Sequence, residues 1–473
     1  MASPLSDSSQ IQGNILRPFR GDHQAFVFLS FRSDRPGARA WLTGAAGRTT
    51  GNDEVPQSRP APDGTPARAL LNVGLTGTGL TLLHPETAGD LAGHTAFWQG
   101  PLGTRLDDAG LLTTAPALLG DLGPGDPSQW VVGGPGRPVD ALLTVAADEY
   151  DDLAVAVERE LLEAERHALA ILSVQWGGVL RNEHGKRIEH FGFADGISQP
   201  GVRGFADTQK SGAPVIAAGE FLLGHPGERR PPSWTPRPTP AAWMRNGSFQ
   251  VFRRLRQDVA GWWEHMNALS AADGGSPEDA AARALGRHLD GRPLAAPDRV
   301  NDFTYHGDDD GARTPRYAHI RKVNPREDAV FRDRGHKMLR RGIPFGPRLH
   351  RHQPDNGEER GMLFNAYMAS IDDQFEYVQR RWATDPGFPS STLARYGRAG
   401  ATDGPAVDGL DPVLGGNARQ AGETLAPEVV RGIPAAAFGG FVTTSGAVYA
   451  FTPSLRALRQ LAGDAPLDAL ATA

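Results

Sequence analysis

Residues 224 to 242 read GHPGERRPPSWTPRPTPAA, with six prolines and no hydrophobic period. Proline removes a backbone donor and fixes φ, so neither a helix nor a central strand runs through such a stretch. The chain is therefore divided there by a linker-like loop. On the N-terminal side HQAFVFLSF (23–31), RALLNVGLT (68–76) and ILSVQWGGVL (171–180) read as strands. Residues 148–167 read as a helix with Leu153, Val157, Leu161 and Leu162 on one face, and a Pro/Gly-rich interruption from about Ala46 to Pro66 reads as a surface loop. A similar order follows the linker. GSFQVFRRL is a strand, 257–269 a helix, GMLFNAYMAS a strand and IDDQFEYVQRRW a helix. GGFVTTSGAVYAFT reads as a hairpin turning at Ser445-Gly446, and a short helix starts at Pro453. At 473 residues the chain exceeds one ordinary core. The expectation is two α+β units, residues 1–215 and 216–473.

Composition removes whole classes of chemistry. The chain has no cysteine, which excludes disulfides, thiolate nucleophiles, iron–sulfur clusters and Cys-ligated zinc. A net charge of −6 argues against nucleic acid or an anionic membrane as the main partner. No apolar run has transmembrane length. MASPLSDSSQIQGN carries neither a basic n-region nor an apolar h-region, so the expected location is the cytoplasm. HExxH, a P-loop and GxGxxG after a strand are all absent from the sequence.

Three stretches remain. GFADG places Asp195 between Gly192 and Gly196. Such a stretch is ordinary turn chemistry, or it lets backbone crowd a flat ligand while a carboxylate points at it. In RYAHIRKVNPR, His319 lies between Ala318 and Ile320, with Arg321, Lys322 and Arg326 close behind. A buried imidazole with nearby cations suits haem, whose iron takes a nitrogen and whose propionates take cations. A basic loop that binds nothing has the same spacing. MLRRGIPFGPR sets two arginines against a stiff aromatic turn, as a solvated pair or with one held against something buried. His350 and His352 form an HRH cluster whose spacing aligns only on a strand.

Taken in order, GFADG, AHIRKVNPR and RRGIPFG resemble the motifs of the dye-decolorising peroxidases, and IQGNIL, NGSFQVFRRL, GMLFNAYMASIDDQFEYVQRRW and GAVYAFTPSLRAL extend the likeness over nearly the whole chain. Length and long loops look most like the larger C- or D-type branch. The resemblance implies two ferredoxin-like α+β domains in a dimeric α/β-barrel-like arrangement, with one haem b held mainly by the second. It implies Asp195 as distal acid–base, Arg340 rather than Arg341 as distal arginine, and His319 as axial iron ligand. Phe364 would wall the distal face, Gly196 would border the cofactor and Arg321 would pair a propionate. The implied substrates are hydrogen peroxide and bulky small-molecule reductants such as dyes or phenolics, with an acidic optimum because the base is a carboxylate. Tyr377 and Trp382 read either as electron relays or as helix core. The partner of the axial histidine is sought around Ser370, where Asp372 and Asp373 lie just beyond. A haem-binding or haem-handling protein with incidental turnover is the competing class; it needs His319 but neither Asp195 nor Arg340.

Overall fold

The computed structural model describes residues 5, 7–55, 68–107, 109–194, 196–205, 212–229, 236–329, 333–389, 408–415, 440–463 and 467. Four antiparallel strands form the first half: β1 (His23–Ser30), β2 (Leu70–Leu75), β3 (Ala141–Ala147) and β4 (Ala170–Gly178). Helix α1 (Arg35–Arg48) follows β1 and helix α2 (Tyr150–Arg166) follows β3. The second half repeats the order. It has β5 (Ser248–Gln257), helix α3 (Val259–Asp273), β6 (Leu339–Arg340), β7 (Ile343–Phe345), β8 (Gly361–Met368) and β9 (Val442–Thr452). Two π-helical turns, Asp372–Glu376 and Val378–Ala383, stand where a helix is expected between β8 and β9.

The strands make one nine-stranded sheet, ordered β6-β8-β5-β9-β2-β3-β1-β4, with β7 also on β8. Numbered within its own half, with β6 and β7 counted as one broken strand on β8, each half reads 4-1-3-2, the ferredoxin-like order, so the α+β expectation holds twice. The seam is thin: β9 meets β2 through the single pair Phe451↔Leu75. The two outer edges also approach. A Cβ on Gly177 of β4 would lie 2.5 Å from Ile343 Cγ2 and 2.9 Å from the Pro344 oxygen of β7, so glycine is required there by space and the sheet curls toward closure.

Alternation along β1 shows how the layers form. Ala25, Val27 and Leu29 enter the core beneath the helices, while Phe26 and Phe28 enter a second cluster. That second cluster joins Leu142 of β3 to Phe252, Leu363 and Val448 of the other half.

Several sequence expectations change. Helix α1 was hidden by the Pro and Gly at its start; Asp34 caps it by accepting from Gly37 N. It runs to Arg48, past the expected loop start at Ala46, and residues 56–67 of that loop lie outside the described residues. On α2, Leu162 is 54% exposed and the buried face is Leu153, Ala156, Val157, Glu160 and Ala164. Glu160 belongs there because Arg48 meets it with two bonds of 2.9 and 2.8 Å. Ser445-Gly446 is not a hairpin turn. β9 is one continuous strand, and its register against β5 jumps from Arg254↔Gly446 to Leu255↔Thr444. Ser445 is the extra residue of a bulge, and its Oγ accepts from Arg254 Nη1 at 2.8 Å.

Candidate active site

A cavity of about 370 Å³ opens between β5, β8, the π-helical turns and the loops that carry the motifs. Its size suits a ligand site. His319, Arg340, Phe364 and Gly196 all line it. Asp195 lies outside the described residues; its neighbours Ala194 and Gly196 are on the cavity wall.

His319 opens a short helix, α4 (His319–Val323). Its Nδ1 lies 2.9 and 3.1 Å from the two carboxylate oxygens of Asp411. Asp411 is wholly buried, and its Oδ1 also accepts from Val413 N at 2.8 Å and Leu414 N at 3.0 Å. The carboxylate is thus fixed from both sides, and the imidazole keeps Nε2 for another partner. This corrects the search around Ser370. Ser370 Oγ instead accepts from Asp373 N, Asp373 pairs with Arg237, and Asp372 accepts from Ala96 N. Asp411 sits 92 residues from His319. The signal available was Asp411-Pro412, a turn-starting pair whose Asp caps the amides that follow.

The loop before Asp195 is built by Glu189. Its two carboxylate oxygens accept from Phe191 N and Phe193 N, each at 2.9 Å, and from Gln257 Nε2 at 2.7 Å. Gly192 and Gly196 have φ of +98° and +70°, a conformation that favours glycine.

Arg340 and Arg341 separate completely. Arg340 lines the cavity and donates through Nη2 to the Ser198 carbonyl. The Gln199 amide grips the Arg340 backbone on both sides, accepting from its N and donating to its O at 3.2 Å each. This clamp was not anticipated from the sequence. Arg341 is buried and donates to the carbonyls of Asn14, Ile15 and Leu16, at 2.9, 2.7 and 3.2 Å. Burial lowers its pKa to about 10, which still leaves it charged at neutral pH.

Arg321 is not on the cavity. Its side chain is fully buried, paired with Asp328 at 2.6 Å and Asp308 at 3.3 Å, and lies over the Tyr305 ring. With its charge already matched it has nothing to offer a propionate, so that expectation is corrected. Arg287 and Arg326 stand on the wall instead. Among the described residues neither forms an ion pair. Arg287 donates to the carbonyls of Gly291 and Val300 and to Asn301 Oδ1. Burial is the main cause lowering its pKa to about 10, and the charges of Arg326 and Arg340 add to it. Arg326 donates to the Phe303 carbonyl, and its buried Nε has no partner. Cations repelling one another at an apolar wall call for an anionic guest. An imidazole with Nε2 uncommitted, a carboxylate behind it and unmatched guanidinium groups fit a haem with its propionates.

Trp382 is core. It is 2% exposed and stacks on Phe388 with ring centres 5.3 Å apart. Tyr377 stacks on cavity-lining His336 at 3.9 Å. His350 and His352 lie exposed and are not among the residues lining the cavity.

Fold and site together define a duplicated ferredoxin-like protein with a haem-type cavity reached by both halves. Comparison with known proteins agrees. A family model described as Dyp-type peroxidase, C-terminal, matches residues 232–401. The multifunctional dye peroxidase DyP2 of Amycolatopsis sp. is 31% identical over 96% of this chain and 95% of its own length. A dye-decolorizing peroxidase solved with cyanide superposes with a TM-score of 0.76 at 27% identity, covering 98% of this chain and 100% of that one. One solved with 2,6-dimethoxyphenol gives 0.74 at 26% identity, covering 97% and 100%. The chain belongs to the dye-decolorising peroxidase family and is a haem-dependent peroxidase. No helix among the described residues is long and apolar enough to cross a membrane.

Proposed function

We propose that this enzyme holds one haem b through His319 Nε2, reduces hydrogen peroxide, and oxidises bulky dyes or phenolics as one-electron donors. The observation that supports it most is the meeting of the Asp411-backed imidazole, Arg340 and the loop flanking Asp195 around a single cavity. Bound haem supplies the redox-active iron at which peroxide is reduced. The chain's own groups handle protons and charge. Asp195, ionised, takes a proton from one peroxide oxygen and delivers it to the other as the O–O bond breaks. Arg340 stays protonated and stabilises the charge that develops on the leaving oxygen. Phe364 keeps water from the reacting face, and Arg287 and Arg326 hold the propionates. The phenol carried by a structural relative supports phenolic donors for this chain.

Absorbance and turnover of Asp195→Asn and Arg340→Leu test the reading. Both variants should keep a Soret band and lose about 10²–10⁴-fold in peroxide turnover. Full turnover in both, with haem still bound, would overturn the roles given to Asp195 and Arg340.

A further inference from the structure

We propose that the Met362 thioether is an oxygen-accepting site on the cavity wall, converted to its sulfoxide during peroxide turnover. The proposal rests on the peroxidase reading above.

Methionine is scarce in this chain and mostly sequestered. Met244, Met338 and Met368 pack into or against the large core, and Met266 into a second cluster with Trp262. Met338 also touches the cavity, but it packs in addition against the group containing Trp382 and Phe388. Met362 belongs to none of the apolar clusters of the described residues. Along β8 it alternates with buried neighbours: Met362 and Phe364 are partly exposed, Leu363 and Asn365 fully buried. Both partly exposed residues line the cavity, so the cavity is what the sulfur side of β8 faces.

Gly342 leaves that sulfur uncovered. A Cβ at position 342 would lie 3.4 Å from Met362 Sδ, in van der Waals contact with it. Gly342 lines the cavity two residues beyond Arg340, and the strand it leads into sets Pro344 opposite Met362. The thioether and the guanidinium thus share one wall. Leucine would fill the volume equally well. What methionine adds is an oxidisable sulfur lone pair.

The step balances with the enzyme's own oxidant. The peroxide O–O bond breaks and one oxygen bonds to Sδ. The sulfide loses two electrons in becoming the sulfoxide. The second oxygen leaves as water with both peroxide protons. The product is a polar group on an apolar wall.

The test is peroxide treatment of the holoenzyme without an added donor, followed by tryptic digestion and fragmentation mass spectrometry. Met362 and Met368 fall on the same peptide, Gly361 to Arg380; fully buried Met368 is the unoxidised internal reference, and the cyanide arm separates turnover-dependent from bulk oxidation. The expected result is near-complete gain of one oxygen at Met362 with Met368 at background. Cyanide added beforehand should suppress the gain, and Met362→Leu should remove it from the peptide. Oxidation that appears first at Met338 or Met368, or that cyanide leaves unchanged, overturns the proposal. So does an unmodified Met362 in enzyme that meanwhile oxidises dye. Loss of both dye turnover and sulfoxide strikes the peroxidase reading itself, and this proposal falls with it.

Discussion

His319 Nδ1 and Asp411 Oδ2 are 2.9 Å apart, and Asp411 is anchored by two backbone amides of its own loop. A carboxylate behind a metal-binding imidazole orients the ring and raises its basicity. Asp411→Asn keeps the shape but removes the charge, so His319 Nε2, the iron ligand proposed above, becomes a weaker donor. Haem affinity or activity should fall about 10- to 100-fold, and the ferric/ferrous potential should move upward. Spectroelectrochemical titration beside a turnover assay checks both. An unchanged potential would mean that Asp411 only holds its loop.

Two adjacent arginines should respond in opposite ways. Arg340→Leu removes a cavity cation and should cut turnover while the unfolding midpoint stays close to that of the parent. Arg341→Leu strips donors from the carbonyls of Asn14, Ile15 and Leu16. Leaving buried acceptors unmatched costs about 1–3 kcal/mol, so this variant should unfold at distinctly lower denaturant concentration. Denaturation curves and peroxide assays on the same two preparations separate the roles.

The contrast bears on what a sequence can carry. GFADG, AHIRKVNPR and RRGIPFG are local, and the turn chemistry or charge in each is readable from neighbours. The doubled strand–helix order was legible for the same reason. Asp411 was not, because its meaning lies in an imidazole 92 residues away. Arg321 misled because a cation beside the proposed ligand histidine has the same spelling whether its counter-charge is a propionate or, as here, Asp328 and Asp308. Ser445-Gly446 misled because a bulge and a turn use the same small residues, and only the partner strand β5 distinguishes them.

Gln12 holds the thin seam between the halves. Its side chain accepts from Val73 N at 2.8 Å and donates to the carbonyls of Val73 and Pro453, at 3.0 and 2.8 Å. It therefore satisfies β2 where β9 has already diverged. Gln12→Ala would strand these buried groups and should cost about 3 kcal/mol. Chemical denaturation reads the loss directly, and a stability equal to the parent would show that water takes over the seam.

Asp372 gives the fold a pH dependence of its own. Burial first, and then the neighbouring charge of Glu376, raise its pKa from 3.8 to about 6, against the opposing pull of Arg105. The folded state therefore binds a proton that the unfolded chain has already released between about pH 4 and 6. Stability from this group is full below pH 4 and is lost as pH rises through 6. A shift of this size corresponds to about 3 kcal/mol. Asp372→Asn keeps an oxygen for the Ala96 amide and cannot ionise. Relative to the parent it should therefore gain about 2 kcal/mol of stability between pH 4.5 and pH 7.5, the part of the shift that titrates in that window. Comparing the two proteins at each pH cancels the carboxylates that do not interact with Asp372. A difference that stays constant across the range would mean that Asp372 titrates as it does in the unfolded chain.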